Sequence, residues 1–314
     1  MKILFTLKHK NPNYFDKVKE LGYEVHFIDE RNFTLNDEAK DCDILVCYDP
    51  FNDLDLSSLP NLKWLQLSSV GIDQAPLQYL EKNSIILTHN KGGYSIPMGE
   101  WIVLKILEHL KKTKTLIENQ NNHKWHMDFS LQELLGKTVG FIGTGTIAQE
   151  AAKRLVGFEA NLIGLNTSGK ETTYIKNCYP LKDKSKFLSM CDFVVLTLPA
   201  TNSTKDFLSL KDFETMKDTS FLINISRGQN LNETDLIKAL NSNMISGAAL
   251  DVFVEEPLPE SSPLWDMESV FISSHNSWIS NQIFDRRFDL VYENLKRYAS
   301  KEKLLHVIDF KKGY

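Results

Sequence analysis

Cysteine is scarce: four residues in 314, Cys42, Cys47, Cys178 and Cys191, with no metal-ligand spacing and too few to frame a disulfide-built fold. They read as small core residues in a reducing compartment, and no metal site is expected. Long apolar runs are also missing. The N-terminal one, residues 3–7, stops before Lys8 and Lys10, too short for a leader or a membrane span, so the cytoplasm is the expected location and no membrane partner is expected. Positive charge is in deficit as well, with 36 basic against 41 acidic residues, which leaves no electrostatic reason to expect nucleic acid. Lys111, Lys112 and Lys114 read as a solvated helix face, His123-Lys124-Trp125-His126 as an exposed helix end, and Asn202-Ser203-Thr204 as a chance sequon. There is no internal repeat or low-complexity tract.

What is present is a rhythm. Length and a 42% hydrophobic content suit about two domains. Short apolar runs at 3–7, 23–28, 44–47, 64–67 and 85–87 alternate with amphipathic stretches, the signature of a parallel sheet built from βα units. One unbroken helical pattern, 98–121, then carries the chain onward. A second series follows, with strand candidates at 138–142, 161–165, 192–198, 220–225, 246–251 and 270–274. The tail, helical from 284 and apolar at 304–308, is expected to return to the first domain.

The second series opens on a glycine turn. Gly143-Thr144-Gly145-Thr146-Ile147-Ala148 follows an apolar strand and precedes a helical pattern, so bare backbone N–H groups and a positive helix end meet there, a suitable seat for a dinucleotide pyrophosphate. Ala148 serves as the third small residue, where helix packs on strand.

Later strand ends carry polar residues suited to one reaction: Arg227 after one, Asp251 and Glu256 after the next, His275 after the last. Hydride transfer to a 2-keto acid needs a cation for the carboxylate and ketone, and an acid for the new alkoxide. Arg227 suits the first task, since its planar fork matches a carboxylate, and His275 the second, with Glu256 to hold its ring. Singly, each also reads as a strand-end salt bridge, a turn residue or a structural histidine; together, downstream of a cofactor turn, they read as a site.

These motifs, with 67–73 (LSSVGID), 92–100 (GGYSIPMGE), 135–140 (LGKTVG), Leu198-Pro199-Ala200-Thr201 and 249–259 (ALDVFVEEPLP), resemble the D-isomer-specific 2-hydroxyacid dehydrogenases over nearly the whole chain. The resemblance implies an α/β fold of two doubly wound domains, a Rossmann dinucleotide-binding domain (98–283) inserted into a flavodoxin-like substrate domain (1–97 and 284–314). It implies that Arg227 binds and polarises substrate, that Glu256 pairs with His275, and that His275 is the acid/base. Ser69, Val70 and Gly71 would meet the substrate carboxylate, with Tyr48 and Trp278 as pocket-wall candidates. Gly143, Thr144, Gly145, Thr146 and Ile147 would hold the pyrophosphate, and Leu198, Pro199, Thr204, Ile225, Ser226, Asp251 and His275 would complete the cofactor site. Asp251 has the alternative of bonding neighbouring backbone. A homodimer through the cofactor domain is also implied.

Two departures matter. Ser274 stands before the histidine where the family often has proline. The position that usually carries a ribose-binding Asp or Glu reads Asn166-Thr167-Ser168-Gly169-Lys170, which removes the charge that repels a 2′-phosphate; NADP or dual use is therefore favoured over NAD alone. The absence of a basic cluster in the first domain leans away from 3-phosphoglycerate, and Glu256 before Pro257 away from the formate dehydrogenase branch. The alternative from another class is a dinucleotide-sensing, corepressor-like binding protein on the same fold.

Overall fold

The computed structural model describes residues 1–313, which form two compact units, one from residues 1–94 and 280–313, the other Ser95–Ile279. In the first, β1 (Lys2–Phe5), β2 (Glu24–Phe27), β3 (Ile44–Cys47), β4 (Trp64–Leu67) and β5 (Ile86–Thr88) pair in parallel in the order β2-β1-β3-β4-β5. That is the flavodoxin-like doubly wound order. The five expected apolar runs all form strands. Burial on both faces explains why the central strands are nearly all apolar: Ile44 and Val46 pack with Phe5 and Trp64, while Leu45 and Cys47 pack with Leu65 and Leu67 opposite. Helices α1 (Tyr14–Glu20) and α2 (Leu77–Lys82) connect the strands.

The second unit begins with α3 (Ser95–Leu110) and α4 (Thr113–Asn121). The single helix expected over 98–121 is thus two. Lys112 adopts a left-handed conformation (φ 48°) and breaks it, although neither glycine nor proline marks the place. Nor is Lys114 only a solvated face, because its ammonium lies 4.7 Å from the Phe271 ring centroid and hydrogen-bonds the Glu268 carbonyl.

The series continues with β6 (Thr138–Ile142), α5 (Thr146–Leu155), β7 (Asn161–Asn166), β8 (Asn177–Pro180), α6 (Lys184–Met190), β9 (Phe193–Leu196), α7 (Leu210–Phe213), β10 (Phe221–Asn224), α8 (Glu233–Asn241), β11 (Gly247–Leu250) and β12 (Val270–Ile272). All pair in parallel, in the order β12-β11-β10-β9-β6-β7-β8. Counted from β6 this is the 3-2-1-4-5-6 arrangement of dinucleotide-binding domains, with one strand added. Six strands were expected; β8, at the sheet edge, is the seventh. The order reverses between β6 and β9, and the glycine turn lies at that switch point.

The closing helix, α9 (Ile283–Ala299), belongs to the first unit, where Phe288, Val291 and Leu295 cover the face formed by Ile3, Phe5, Ile44 and Val46. Residues 307 and 308 end beside β5, with the Ile308 N–H on the Leu87 carbonyl. No helix among the described residues is long and apolar enough to cross a membrane.

His109 gives the second unit a pH dependence. Its ring stacks on Phe221 at 4.1 Å, and burial, aided by Lys137 and Lys112, pushes its pKa down to about 4. Unfolded, it titrates near 6.5. The unfolded chain therefore binds the extra proton first, and stability that is complete above pH ~6.5 is lost as the pH falls towards about 4. Thermal unfolding of His109→Phe is expected to show a flatter acid limb than the native protein; parallel limbs would rule His109 out as its source.

Candidate active site

In the second unit the chain leaves β6 and turns at Gly143 (φ 88°), where an added Cβ would meet the Thr197 carbonyl at 3.0 Å. Gly145 is the N-cap of α5, and no side chain caps that helix end. The Thr144 and Gly145 N–H groups donate to no described acceptor, and the space where a Gly145 Cβ would stand is open to 4 Å. An uncapped helix end over open space is what a pyrophosphate requires. Ala148 is fully buried against the sheet, and Thr146 Oγ1 is fixed by Ser95 Oγ at 2.9 Å.

After β7, Asn166 organises a turn instead of offering itself outward. Its Nδ2 donates to Thr144 Oγ1 (3.1 Å) and the Lys170 carbonyl (2.9 Å), and its Oδ1 accepts from the Ser168 N–H (3.1 Å). Thr167, Ser168 and Lys170 remain exposed on a turn without a carboxylate. At the end of β9, the Thr204 hydroxyl donates to the Pro199 carbonyl at 2.7 Å and closes the loop holding Leu198 and Pro199.

Strands β10, β11 and β12 are neighbours, and their register sets Asn224, Leu250 and Ile272 abreast. Arg227 and His275 each follow three residues later, so both emerge at the carboxyl edge on strands two apart, about 10 Å. Ile225 and Ser226 between them are buried, and the Ser226 hydroxyl donates to Asn224 Oδ1 at 2.8 Å; these two support the loop more than they present a surface. A Cβ on Gly228 would stand 1.9 Å from the Phe253 carbonyl carbon. Only glycine lets the Arg227 loop lie against the loop that carries Glu256.

Glu256 bridges. Its Oε1 accepts from the Phe253 N–H (2.9 Å) and its Oε2 lies 2.8 Å from His275 Nδ1. Facing a carboxylate, Nδ1 must be the donor, which leaves Nε2 without a described partner. His275 itself is left-handed (φ 53°), a conformation costing a non-glycine residue about 1–2 kcal/mol. Asp251 holds it there: its carbonyl accepts the His275 N–H at 2.8 Å, and its buried carboxylate accepts from Ser273 Oγ (2.7 Å) and the Asn276 (2.8 Å) and Ser277 (3.0 Å) N–H groups. The local bonding named as one reading of Asp251 is present. Trp278 is half-buried three residues beyond His275.

In the first unit, the loop after β4 is held by its carbonyls. The Asn90 N–H reaches Ser69 O (2.7 Å), His89 Nδ1 reaches Val70 O (2.7 Å) and Ser69 Oγ reaches Gly71 O (2.7 Å). Burial lowers the His89 pKa, which keeps that ring neutral. The N–H groups of Ser69, Val70 and Gly71 meet no described acceptor, so three donors in a row stand unused. Tyr48 is exposed at the end of β3. Arg287, bonded to Ser68, was not among the residues expected here. Its signal was an arginine on the apolar stripe of α9, four residues from both Ile283 and Val291.

Comparison with known proteins agrees with this geometry. The family profile described as "D-isomer specific 2-hydroxyacid dehydrogenase, NAD binding domain" matches residues 103–277. A glyoxylate reductase of Thermofilum pendens is 31% identical over 82% of this chain and 78% of its own length. A glyoxylate/hydroxypyruvate reductase A of Photorhabdus laumondii is 28% identical over 82% and 84%. The solved NADPH-dependent glyoxylate/hydroxypyruvate reductase of Sinorhizobium meliloti, in complex with NADP and sulfate, superposes with a TM-score of 0.83 at 27% identity, covering 100% of this chain and 99% of that one. A profile over more than half the chain and a relative at 31% identity place this protein in the D-isomer specific 2-hydroxyacid dehydrogenase family, as an NAD(P)-dependent oxidoreductase acting on a CH–OH donor.

Proposed function

We propose that the enzyme reduces small 2-keto acids, glyoxylate and hydroxypyruvate foremost, to 2-hydroxy acids of D configuration, and that NADPH is its preferred reductant. The observation that carries this reading is the Glu256–His275 pair at 2.8 Å, on the strand ends next to the one bearing Arg227. When bound, the cofactor supplies the hydride. The uncapped end of α5 with Thr144 and Gly145 would bind its pyrophosphate, and Thr167, Ser168 and Lys170 would surround the adenosine ribose with donors and a point charge, where a carboxylate would repel a 2′-phosphate. The free N–H groups of Ser69, Val70 and Gly71 receive the substrate carboxylate. Arg227 binds substrate and draws charge onto the ketone oxygen. His275 Nε2 delivers the proton as the alkoxide forms, and Glu256, accepting from Nδ1, holds the ring edge-on to its task. Asp251 acts by fixing the backbone of the histidine loop. Tyr48, exposed at the end of β3, and Trp278, half-buried after His275, are the pocket-wall residues of this reading. The relatives named for glyoxylate and hydroxypyruvate support this choice.

Initial rates with glyoxylate, hydroxypyruvate, pyruvate and branched 2-keto acids, each with NADPH and NADH at equal concentration, test it. A higher kcat/KM with NADPH and with the two- and three-carbon acids is expected. A strong NADH preference would sink the cofactor reading, and preference for branched acids the substrate reading.

A homodimer through the cofactor domain belongs to the same proposal. Trp125 and Phe129, in the stretch between α4 and β6, are 97% and 89% exposed, more than a large aromatic side chain bears without a partner surface. Sedimentation should give about twice the chain mass, and Trp125→Ser with Phe129→Ser should shift it towards the monomer; a native protein that sediments as a monomer refutes this. We place the enzyme in the cytoplasm, where its four unpaired cysteines stay reduced.

A further inference from the structure

We propose that Arg287 is a buried counter-charge for the substrate carboxylate, a positioning residue that makes the Ser69–Gly71 loop an anion site. The inference rests on the reading of that loop given above. Arg287 is only 5% exposed, yet among the described residues it forms no ion pair. Its Nε donates to the Ser68 carbonyl (3.1 Å) and its Nη2 to Ser68 Oγ (2.6 Å). The guanidinium carbon lies 5.9, 5.6 and 5.5 Å from the ring centroids of Tyr48, Tyr94 and Phe284. Dipoles and aromatic faces temper the charge, but no carboxylate among the described residues pairs with it.

Its place decides what does. Ser68 directly precedes the three residues whose N–H groups have no described acceptor, and their carbonyls are already engaged with Asn90, His89 and Ser69. The loop is therefore turned donor-side out, with an uncompensated cation bonded to the residue that begins it. A carboxylate seated on those donors would gain from Arg287 through space and through the orientation of Ser68, without touching it. Of the titratable groups near the loop, burial lowers the His89 pKa and the Tyr94 hydroxyl donates to the Ser68 carbonyl, while Asp73, two residues past Gly71, is the acid that an incoming carboxylate would face beside Arg287.

Oxalate, an unreactive dicarboxylate, serves as the probe. Its Kd for the NADPH-saturated enzyme should rise about tenfold or more in Arg287→Gln, which can still hydrogen-bond Ser68 but carries no charge. The KM for hydroxypyruvate should rise in parallel, while kcat at saturation falls much less and the Kd of NADPH stays put. Arg287→Lys, with the charge but without the fork, should fall between the two. Native oxalate affinity in Arg287→Gln overturns the proposal, as do equal losses in the Gln and Lys variants, which would make the role merely structural. Should Arg287→Gln fail to fold, a full tenfold loss in Arg287→Lys, where the charge is kept, overturns it instead. Gly71→Pro, which deletes one loop N–H, separates the two readings. Unchanged oxalate affinity there sinks the loop assignment itself, whereas a loss there with native affinity in Arg287→Gln sinks only Arg287.

Discussion

His275→Ala is expected to lower kcat by roughly 10²- to 10⁴-fold, the usual worth of a positioned general acid. Reduction of a ketone leaves an alkoxide that needs a proton, and in the second unit the imidazole held at 2.8 Å by Glu256 has one ring nitrogen tied and one left to give it. Alanine at a left-handed position is also less at ease than the native residue, so part of any loss could come from a displaced loop. Two measurements separate these causes. Thermal unfolding reports the loop, and the pH–rate profile reports the acid: loss of chemistry removes a titration limb that loop damage would leave in place. Retained activity with an unchanged pH profile would reassign the proton donor.

Arg227→Gln should forfeit transition-state stabilisation of the order of 3 kcal/mol, about a hundredfold in kcat/KM. Glutamine keeps a polar end but has neither the permanent charge nor the two-pronged face that meets a carboxylate. Because Gly228, not Arg227, lets the loop lie against Phe253 and Val254, the backbone should survive the exchange. The effect should appear with every 2-keto acid tried, since all share the carboxylate and ketone. Kinetics close to native across that panel would remove Arg227 from the mechanism.

Most of this was readable from one dimension because strands buried on both faces announce themselves, and a polar residue at their carboxyl ends is then conspicuous. Arg227, Glu256 and His275 stood out in that way, and the three adjoining strands do set them on one edge. The glycine turn was equally plain. What escaped did so for physical reasons. Strand β8, Asn177-Cys178-Tyr179-Pro180, is a short sheet edge with no fully buried residue and a terminal proline, so it lacks the apolar signature of its neighbours. The break at Lys112 depends on a left-handed lysine, which no residue preference marks. That Asn166 bonds Thr144 and its own turn was not visible in the sequence, because side-chain amides bond their own backbone as readily as a ligand. Arg287 was passed over since charge in a helix normally signals solvent.

The return of α9 to the first unit has a consequence at the ribosome. Ile3, Phe5, Ile44 and Val46 are made early, but Phe288, Val291 and Leu295, which cover them, emerge only after the whole contiguous second unit. At bacterial-to-eukaryotic elongation rates of roughly 5–20 residues per second, some 185 intervening residues leave that apolar face uncovered for about 10–40 s. The cofactor-binding half can be folded before the other half has its last helix, and during that interval a nascent chain would offer chaperones one defined sheet face to shield.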